Sequence, residues 1–164
     1  MCIDNYQQFL EQIIKAIMEC GINVSNLEMD HIGYQSSSNE DYDDLVPQFE
    51  EIGEMVSETV VGGRRVGIFK LIPQLKFKGY IISAIELIAP KDGQICPSAL
   101  EHVEFVIHEE FETFMQKYPA VNWDASAINQ KDFPMIKLRL TEHTQVKFHK
   151  TNVLEIVEKR GLSK

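Results

Sequence analysis

The sequence is short of cysteine, of positive charge and of long apolar runs. Its three cysteines, Cys2, Cys20 and Cys96, are odd in number and sit at spacings that match no zinc or redox motif. Sixteen lysines and arginines against 25 aspartates and glutamates leave a net charge of −9 and a pI near 5.0. That balance argues against nucleic acid, whose phosphates demand a basic face, and against an anionic membrane surface, although a few basic residues can still converge locally. The longest apolar stretch, "GYIISAIELIAP", is too short to span a bilayer and carries Glu86 inside it. The opening "MCIDNYQQFL" has no basic region followed by an apolar run, so it does not read as a signal peptide. These absences together lead us to expect a cytoplasmic protein with free thiols and no nucleic-acid or membrane partner.

What is present is a chain of 164 residues, 44% of them hydrophobic, enough for one domain or for two small units sharing a core. In "YQQFLEQIIKAIMECG" the residues Phe9, Leu10, Ile13, Ile14, Ile17 and Met18 fall on one helical stripe, and Gly21 is a natural stop. The stripe is ordinary core packing, and it places an N-terminal helix at 5–20. "LEMDHIGYQ" then reads as a strand. "DYDDLVPQFEEIGEM" has helical spacing, with Asn39 as its expected cap and Pro47 as an expected kink or restart. "SETVVGGRRVGIFKLIP" reads as a hairpin turning at Gly62–Gly63, and "YIISAIELIAP" as a further strand.

After the turn-rich "KDGQICPS" the same order returns. "ALEHVEFVI" is a strand and "HEEFETFMQKYP" a helix. "AVNWDASAINQKDF" is irregular or a poor strand, and "MIKLRL" and "EHTQVKFHK" are strands. A short helix at 152–160, capped by Asn152 and ended by Gly161, closes the chain. The pattern is one α+β domain over 1–164 that holds two βαβββ modules, 27–90 and 99–150.

Alternation along strands sorts side chains onto two faces. His31 shares a face with Met29 and Gly33, opposite Asp30, Ile32 and Tyr34. His102 shares a face with Glu104, opposite Val103, Phe105 and Ile107. Glu86 sits between Ile85 and Leu87 and points away from the helices, as do Lys147 and His149 in the last strand. Lys137 and Arg139 share that parity, and so do Arg64 and Lys70 of the hairpin. A cleft therefore collects His31, Glu86 and His102. Two imidazoles and one carboxylate are the inventory of a three-ligand divalent site with open positions, suited to Zn²⁺, Fe²⁺, Mn²⁺ or Ni²⁺. Basic groups in an acidic chain point to a small anionic substrate, with Arg64, Lys70, Lys137, Arg139 and Lys147 as the residues to hold it. The competing explanations are plain ones. A lone strand histidine is usually structural, Glu86 could pair with Arg64 or Lys70, and a basic strand face is most often solvated. His108 and His143 read as surface residues.

The order βαβββ twice, with His on each first strand and Glu on the last strand of module one, resembles the vicinal oxygen chelate superfamily. That group holds glyoxalase I, extradiol dioxygenases, methylmalonyl-CoA epimerase and bleomycin-resistance proteins. More closely, "DHIGYQ", "GRRVGIFKL", "AIELIAP", "LEHVEFVI" and "VKFHKTNVLEIVE" look like the YecM family of bacterial proteins. The resemblance implies paired modules curling into an open barrel around one divalent metal held by His31, Glu86 and His102. The superfamily's usual fourth ligand is a Glu on the last strand of module two, where this chain has Lys147 with His149 one pleat on. A lysine there would lower metal affinity or pair with the substrate, and His149 is the alternative donor. The resemblance gives fold and site but no reaction. Isomerase, lyase and dioxygenase chemistry all fit, with Glu104 as a catalytic group to move a proton. A non-catalytic binding protein is the alternative, and a homodimer stays open.

Overall fold

The computed structural model describes residues 3–161. Helix α1 (Tyr6–Glu19) leads into strand β1 (Glu28–Gln35), helix α2 (Asn39–Glu50) and strands β2 (Gly53–Val61), β3 (Arg64–Phe77) and β4 (Tyr80–Ile88). The second unit runs β5 (Ala99–Val106), α3 (Phe111–Lys117), β6 (Met135–Arg139) and β7 (Gln145–His149), followed by α4 (Val153–Gly161). The seven strands form one mixed sheet in the order β2-β3-β4-β1-β5-β7-β6. Its two edges, β2 and β6, do not pair with each other, so the sheet stays open. No helix among the described residues is long and apolar enough to cross a membrane.

The topology is that of a doubled unit. β1 pairs parallel with β4, and β5 pairs parallel with β7, while β1 and β5 join the halves antiparallel at the centre. The two units are unequal. In the second, the segment expected to match β2 is reduced to a single bridge between Asp124 and Lys137. "AVNWDASAINQKDF" lacks the alternating β-branched and aromatic residues that would hold a full ladder.

One face of the sheet carries α1, α2 and α3. Phe9, Leu10, Ile13 and Ile17 of α1 sink into the main core beside Met29, Ile32 and Phe105. Tyr42, Leu45 and Phe49 of α2 do the same, with Phe49 against Tyr34 and Phe69. The other face carries α4 alone, whose Val153, Leu154 and Val157 pack on Val66, Ile68, Ala84 and Ile88.

Several local expectations are revised. Ser38, not Asn39, caps α2, its side chain accepting from the Asp41 amide. The helix runs through Pro47 unbroken, because Pro47 and Asp43, the residue whose carbonyl it leaves unpaired, both face solvent. It ends at Glu50, so Gly53–Met55, expected as helix, opens β2 instead. β3 extends past Pro73 to Phe77, where a turn at Lys78–Gly79 leads back into β4. The β2–β3 turn does fall at Gly62–Gly63, with φ of 58° and 81°, a pair of left-handed positions that glycine alone takes freely.

Because Phe49 is fully buried between helix and sheet, Phe49→Ala should cost about 3–5 kcal/mol of stability. A urea denaturation series checks this, and a loss under about 1 kcal/mol would mean the α2–sheet contact relaxes without a cavity.

Candidate metal centre

His31 reaches the concave face from β1 and His102 from the antiparallel neighbour β5. The register sets Gly33 opposite His102 and His31 opposite Glu104. The His102 ring therefore lies directly over Gly33. A Cβ at that position would fall 2.0 Å from ring Cε1, so the glycine is required by contact and not by backbone angle.

Each histidine follows a carboxylate that strict alternation would send to the helix side. The β1–β5 ladder breaks register at both places, between Met29 and His31 and between Gly33 and Tyr34. The first break reverses the expected parity. Met29 packs into the helix-side core, while Asp30 joins His31 on the concave face, its Oδ2 lying 2.9 Å from His31 Nδ1. At the second break the pairing steps from His102 to Leu100, and the extra residue, Glu101, bonds His102 Nδ1 through Oε2. Bulges of this kind re-aim side chains beside functional sites. In both halves a carboxylate engages Nδ1 and leaves Nε2 facing the centre, the orientation that metal-bound imidazoles need.

At the centre, Glu104 Oε1 lies 3.4 Å from His31 Nε2 and 3.4 Å from His102 Nε2, and Glu86 Oε2 lies 3.1 Å from His102 Nε2. Ligand atoms of His31, Glu86, His102 and Glu104 all fall within 4.8 Å of one another. Metal–ligand bonds of about 2.0–2.2 Å put neighbouring donors roughly 3.0–3.5 Å apart. His31 Nε2 and Glu104 Oε2 are buried with no hydrogen-bond partner. The donor set therefore fits a divalent cation. Glu104, expected as a spare proton carrier, stands among the donors.

Lys147 also stands there. Its Nζ is 2.9 Å from Glu104 Oε1, 3.1 Å from His102 Nε2 and 3.8 Å from Glu86 Oε2. The ladders show why. Gly33 lies beside Glu86 across β1–β4, and Glu104 lies beside Lys147 across β5–β7. The halves match His31 with His102, Gly33 with Glu104 and Glu86 with Lys147. In the second half the carboxylate has moved from the last strand to the first, and a lysine takes the vacated position.

His149 does not join these donors. Its Nε2 lies 3.0 Å from Asp30 Oδ2 and its Nδ1 3.6 Å from Glu104 Oε2, on the far side of His31. Asp30 also accepts the Val153 amide of α4 at 3.0 Å, tying the last helix to the site. The other basic residues do not converge on the centre. Lys137 pairs with Asp124 at 3.1 Å, Arg139 donates to the Glu142 carbonyl, Lys70 is exposed, and Arg64 reaches toward Gln35 at 3.5 Å. His108 and His143 are exposed.

Burial raises the cost of every charge here, and the neighbours outweigh it. Burial pushes the carboxyl of Glu86 up, but Lys147 and then His102 bring it down to about 2. Glu104, against the same burial, is held well below the usual carboxylate range by Lys147 and His31. Asp30 and Glu101 are lowered despite burial, the former chiefly by His31 and the latter by His102. Burial works against a charge on His31, yet Glu104 and Asp30 raise it well above the ordinary histidine range. For His102, burial and then Lys147 oppose a second proton, yet Glu101 and Glu104 outweigh them and raise it to about 9. A second proton on Nε2 would meet Glu86 Oε2 at 3.1 Å but would also set two donors 3.1 Å apart at Lys147, so the Lys147 contact is a hydrogen bond only with the neutral ring. In that neutral ring Nδ1 carries the proton that Glu101 accepts, and Nε2 keeps its lone pair.

Alternation with unbroken register finds His31, Glu86, His102, Glu104 and Lys147. It misses Asp30 and Glu101 as partners of the histidines, because both arrive through bulges. The one sequence signal for them is the shared pair of letters, Asp-His and Glu-His, at matching points of the repeat.

Comparison with known proteins agrees with this arrangement of strands. A family model described as YecM protein matches residues 1–152. Protein YecM of Escherichia coli (strain K12) is 25% identical over 164 residues, covering 92% of this chain and 87% of that protein. A solved structure named Structural Genomics, Protein EC4020, superposes with a TM-score of 0.72 at 25% identity, covering 93% of this chain and 87% of the other. The hypothetical protein BH1468 from Bacillus halodurans C-125 shares the fold at 12% identity and a TM-score of 0.53, over 77% of this chain and 96% of its own.

Two outcomes follow from the geometry. Gly33→Ala should drive the His102 ring from its place, abolishing metal uptake and lowering the melting temperature. Unchanged uptake would show that the ring has room to move. The lowered carboxyls of Asp30, Glu86, Glu101 and Glu104 make a second prediction. Their contribution to stability is complete above the unfolded values near pH 4.5 and is lost as pH falls toward about 2. Unfolding free energy measured in urea should drop steeply across that window, and less steeply in Glu104→Gln. Equal slopes in parent and variant would remove Glu104 from the linkage.

Proposed function

The chain belongs to the YecM family, and from that premise we propose that it binds one divalent metal and is an enzyme acting on a small anionic molecule that chelates the metal through two neighbouring oxygens. One observation carries this reading. Four donors from three strands meet at metal spacing, with the Nε2 of His31 buried and unpartnered among them. His31, Glu86, His102 and Glu104 would hold the ion, and Asp30 and Glu101 would orient the two imidazoles. Bound there, the metal would supply Lewis acidity toward an oxyanion or enolate. Imidazole and carboxylate donors without a thiolate suit Zn²⁺, Fe²⁺, Mn²⁺ or Ni²⁺.

The chain's own groups define how an anion is met. Among the described residues Lys147 is the one lysine or arginine that reaches the donors, so it is the candidate to hold a substrate oxygen. A cavity of about 410 Å³ opens beside His149, with Phe133, Pro134 and Ile156 for an apolar body and Lys150, Lys159 and Arg160 around it for a charged end. His149 stands between this cavity and Glu104, where it could pass a proton inward. Isomerase, lyase and dioxygenase reactions remain the classes consistent with two vicinal oxygens on one metal.

A second reading has its own support. Lys147 lies among the donors where the superfamily resemblance calls for a carboxylate, which favours a non-catalytic binder of a metal or a small molecule. Turnover of any substrate that depends on metal would exclude it.

The deciding experiment is elemental mass spectrometry on protein purified without a histidine tag, beside His31→Ala and His102→Ala. Near-stoichiometric metal in the parent and none in either variant is the expected result. A parent that takes up no metal even after reconstitution would sink the proposal.

A further inference from the structure

Lys147 occupies an unusual position, and its consequences reach beyond charge balance. We propose that the Lys147 ammonium is a built-in rival of the metal, competing with it for the Nε2 lone pair of His102 and for Oε1 of Glu104, so that the ion enters only as Lys147 lets go. The inference rests on the metal-binding reading above and adds a control to it.

The argument is one of valence. In the neutral His102 ring Nδ1 donates a hydrogen bond to Glu101, which leaves Nε2 with a single in-plane lone pair, the form a metal requires. Lys147 Nζ claims that lone pair at 3.1 Å. An imidazole nitrogen that accepts a hydrogen bond along its lone pair cannot coordinate a metal with the same electrons. Glu104 Oε1 also meets Nζ, at 2.9 Å, and lies 3.4 Å from both imidazole nitrogens; a carboxylate has lone pairs for both partners, so there the rivalry is one of charge. Two of the four donors are thus held by the ammonium, and one of them, His102, could not serve both cations together. Lys147 is itself buried, 6% exposed, and its partners here are these same groups, so its place is built by the fold and not by a passing surface contact. Its register with Glu86 in the other half puts it on the strand position aimed at the centre.

The arrangement has two effects. Without metal, the ammonium keeps the carboxylates together and the donors near their working spacing. With metal, a positive charge a few ångströms away weakens binding relative to the same donors beside a neutral side chain. Such a centre would load and unload more easily than its donor count implies. Its freed ammonium would also stand next to the metal, ready for an anionic ligand.

The test is a titration with Zn²⁺ alone against a chromophoric chelator, comparing the parent with Lys147→Met, Lys147→Gln and Lys147→Arg. The neutral variants should bind Zn²⁺ at least about tenfold more tightly, while Lys147→Arg, which keeps the charge, should gain nothing. A readout on the parent itself covers the case in which the neutral variants do not fold. Lysine Cε resonances, with that of Lys147 identified by its loss in Lys147→Arg, should show Lys147 shifting as the first equivalent of Zn²⁺ is added. Met and Gln variants within about threefold of the parent, or a Lys147 resonance unmoved at full loading, would overturn the inference and leave metal binding intact. Zinc bound by the neutral variants and not by the parent would support the rivalry and remove metal binding from the native chain's function. No zinc bound by any of them would overturn both.

Discussion

Four carboxylates, Asp30, Glu86, Glu101 and Glu104, share the middle of one sheet face, and the arrangement of that face follows from having to neutralise them. A buried anion without a partner is among the most costly features a fold can carry. Each of these has more than one partner. Asp30 takes two imidazoles and the Val153 amide, Glu101 takes His102 and Gln145, and Glu86 and Glu104 share His102 and Lys147. Among the described residues, three imidazoles and the Lys147 ammonium are the basic side chains that meet them there. A divalent cation among His31, His102, Glu86 and Glu104 would relieve the same excess of negative charge that now holds a proton on His31. Protons, an ammonium and a metal are thus alternative solutions to one electrostatic problem, and the residues that solve it are the residues that would do chemistry.

The doubled fold explains why these groups meet at all. No single βαβββ unit has enough strands to surround a cation. Joining two of them through β1 and β5 sets the first strand of each beside the other, so a residue at one point of the repeat appears twice within a few ångströms. The centres of the His31 and His102 rings are 5.8 Å apart although the residues are 71 positions apart in sequence. Duplication also gave each half freedom to vary. Gly33 makes room for the His102 ring, and its counterpart Glu104 fills the equivalent space with a carboxylate.

Much of this was legible from residues alone. The order of elements, the shared face of His31, Glu86 and His102, and the burial of Ile85 and Leu87 behind Glu86 all follow from alternation. What failed did so for local physical reasons. Asp30 and Met29 exchanged faces because a bulge breaks the period of two on which the parity argument depends, and one-letter patterns carry no direct mark of a bulge. The helix through Pro47 survived because both residues of the lost hydrogen bond face water, which the sequence does not show. The basic residues were over-collected for a related reason. Parity says which face Lys137, Arg139, Arg64 and Lys70 occupy, but not how far along a strand they lie from the centre.

The lysine at the fourth position is best understood through the same geometry. Moving a carboxylate from the last strand to the first conserves the number of anionic donors but not their directions. Glu104 approaches both imidazoles from β5 and lies 3.4 Å from each, so it can bridge them. Had the lost position become apolar, the two halves would differ by one unit of charge at that vertex. With Lys147 there, they differ in charge by two units at one vertex, since a carboxylate in one half answers an ammonium in the other. The centre therefore has a negative side toward β4 and a positive side toward β7. An ion set between them would be held from one side and opposed from the other, and an oxyanion drawn to that ion would find its second contact at Lys147. That polarity, and not the count of ligands, is what distinguishes this centre from a symmetric four-donor site.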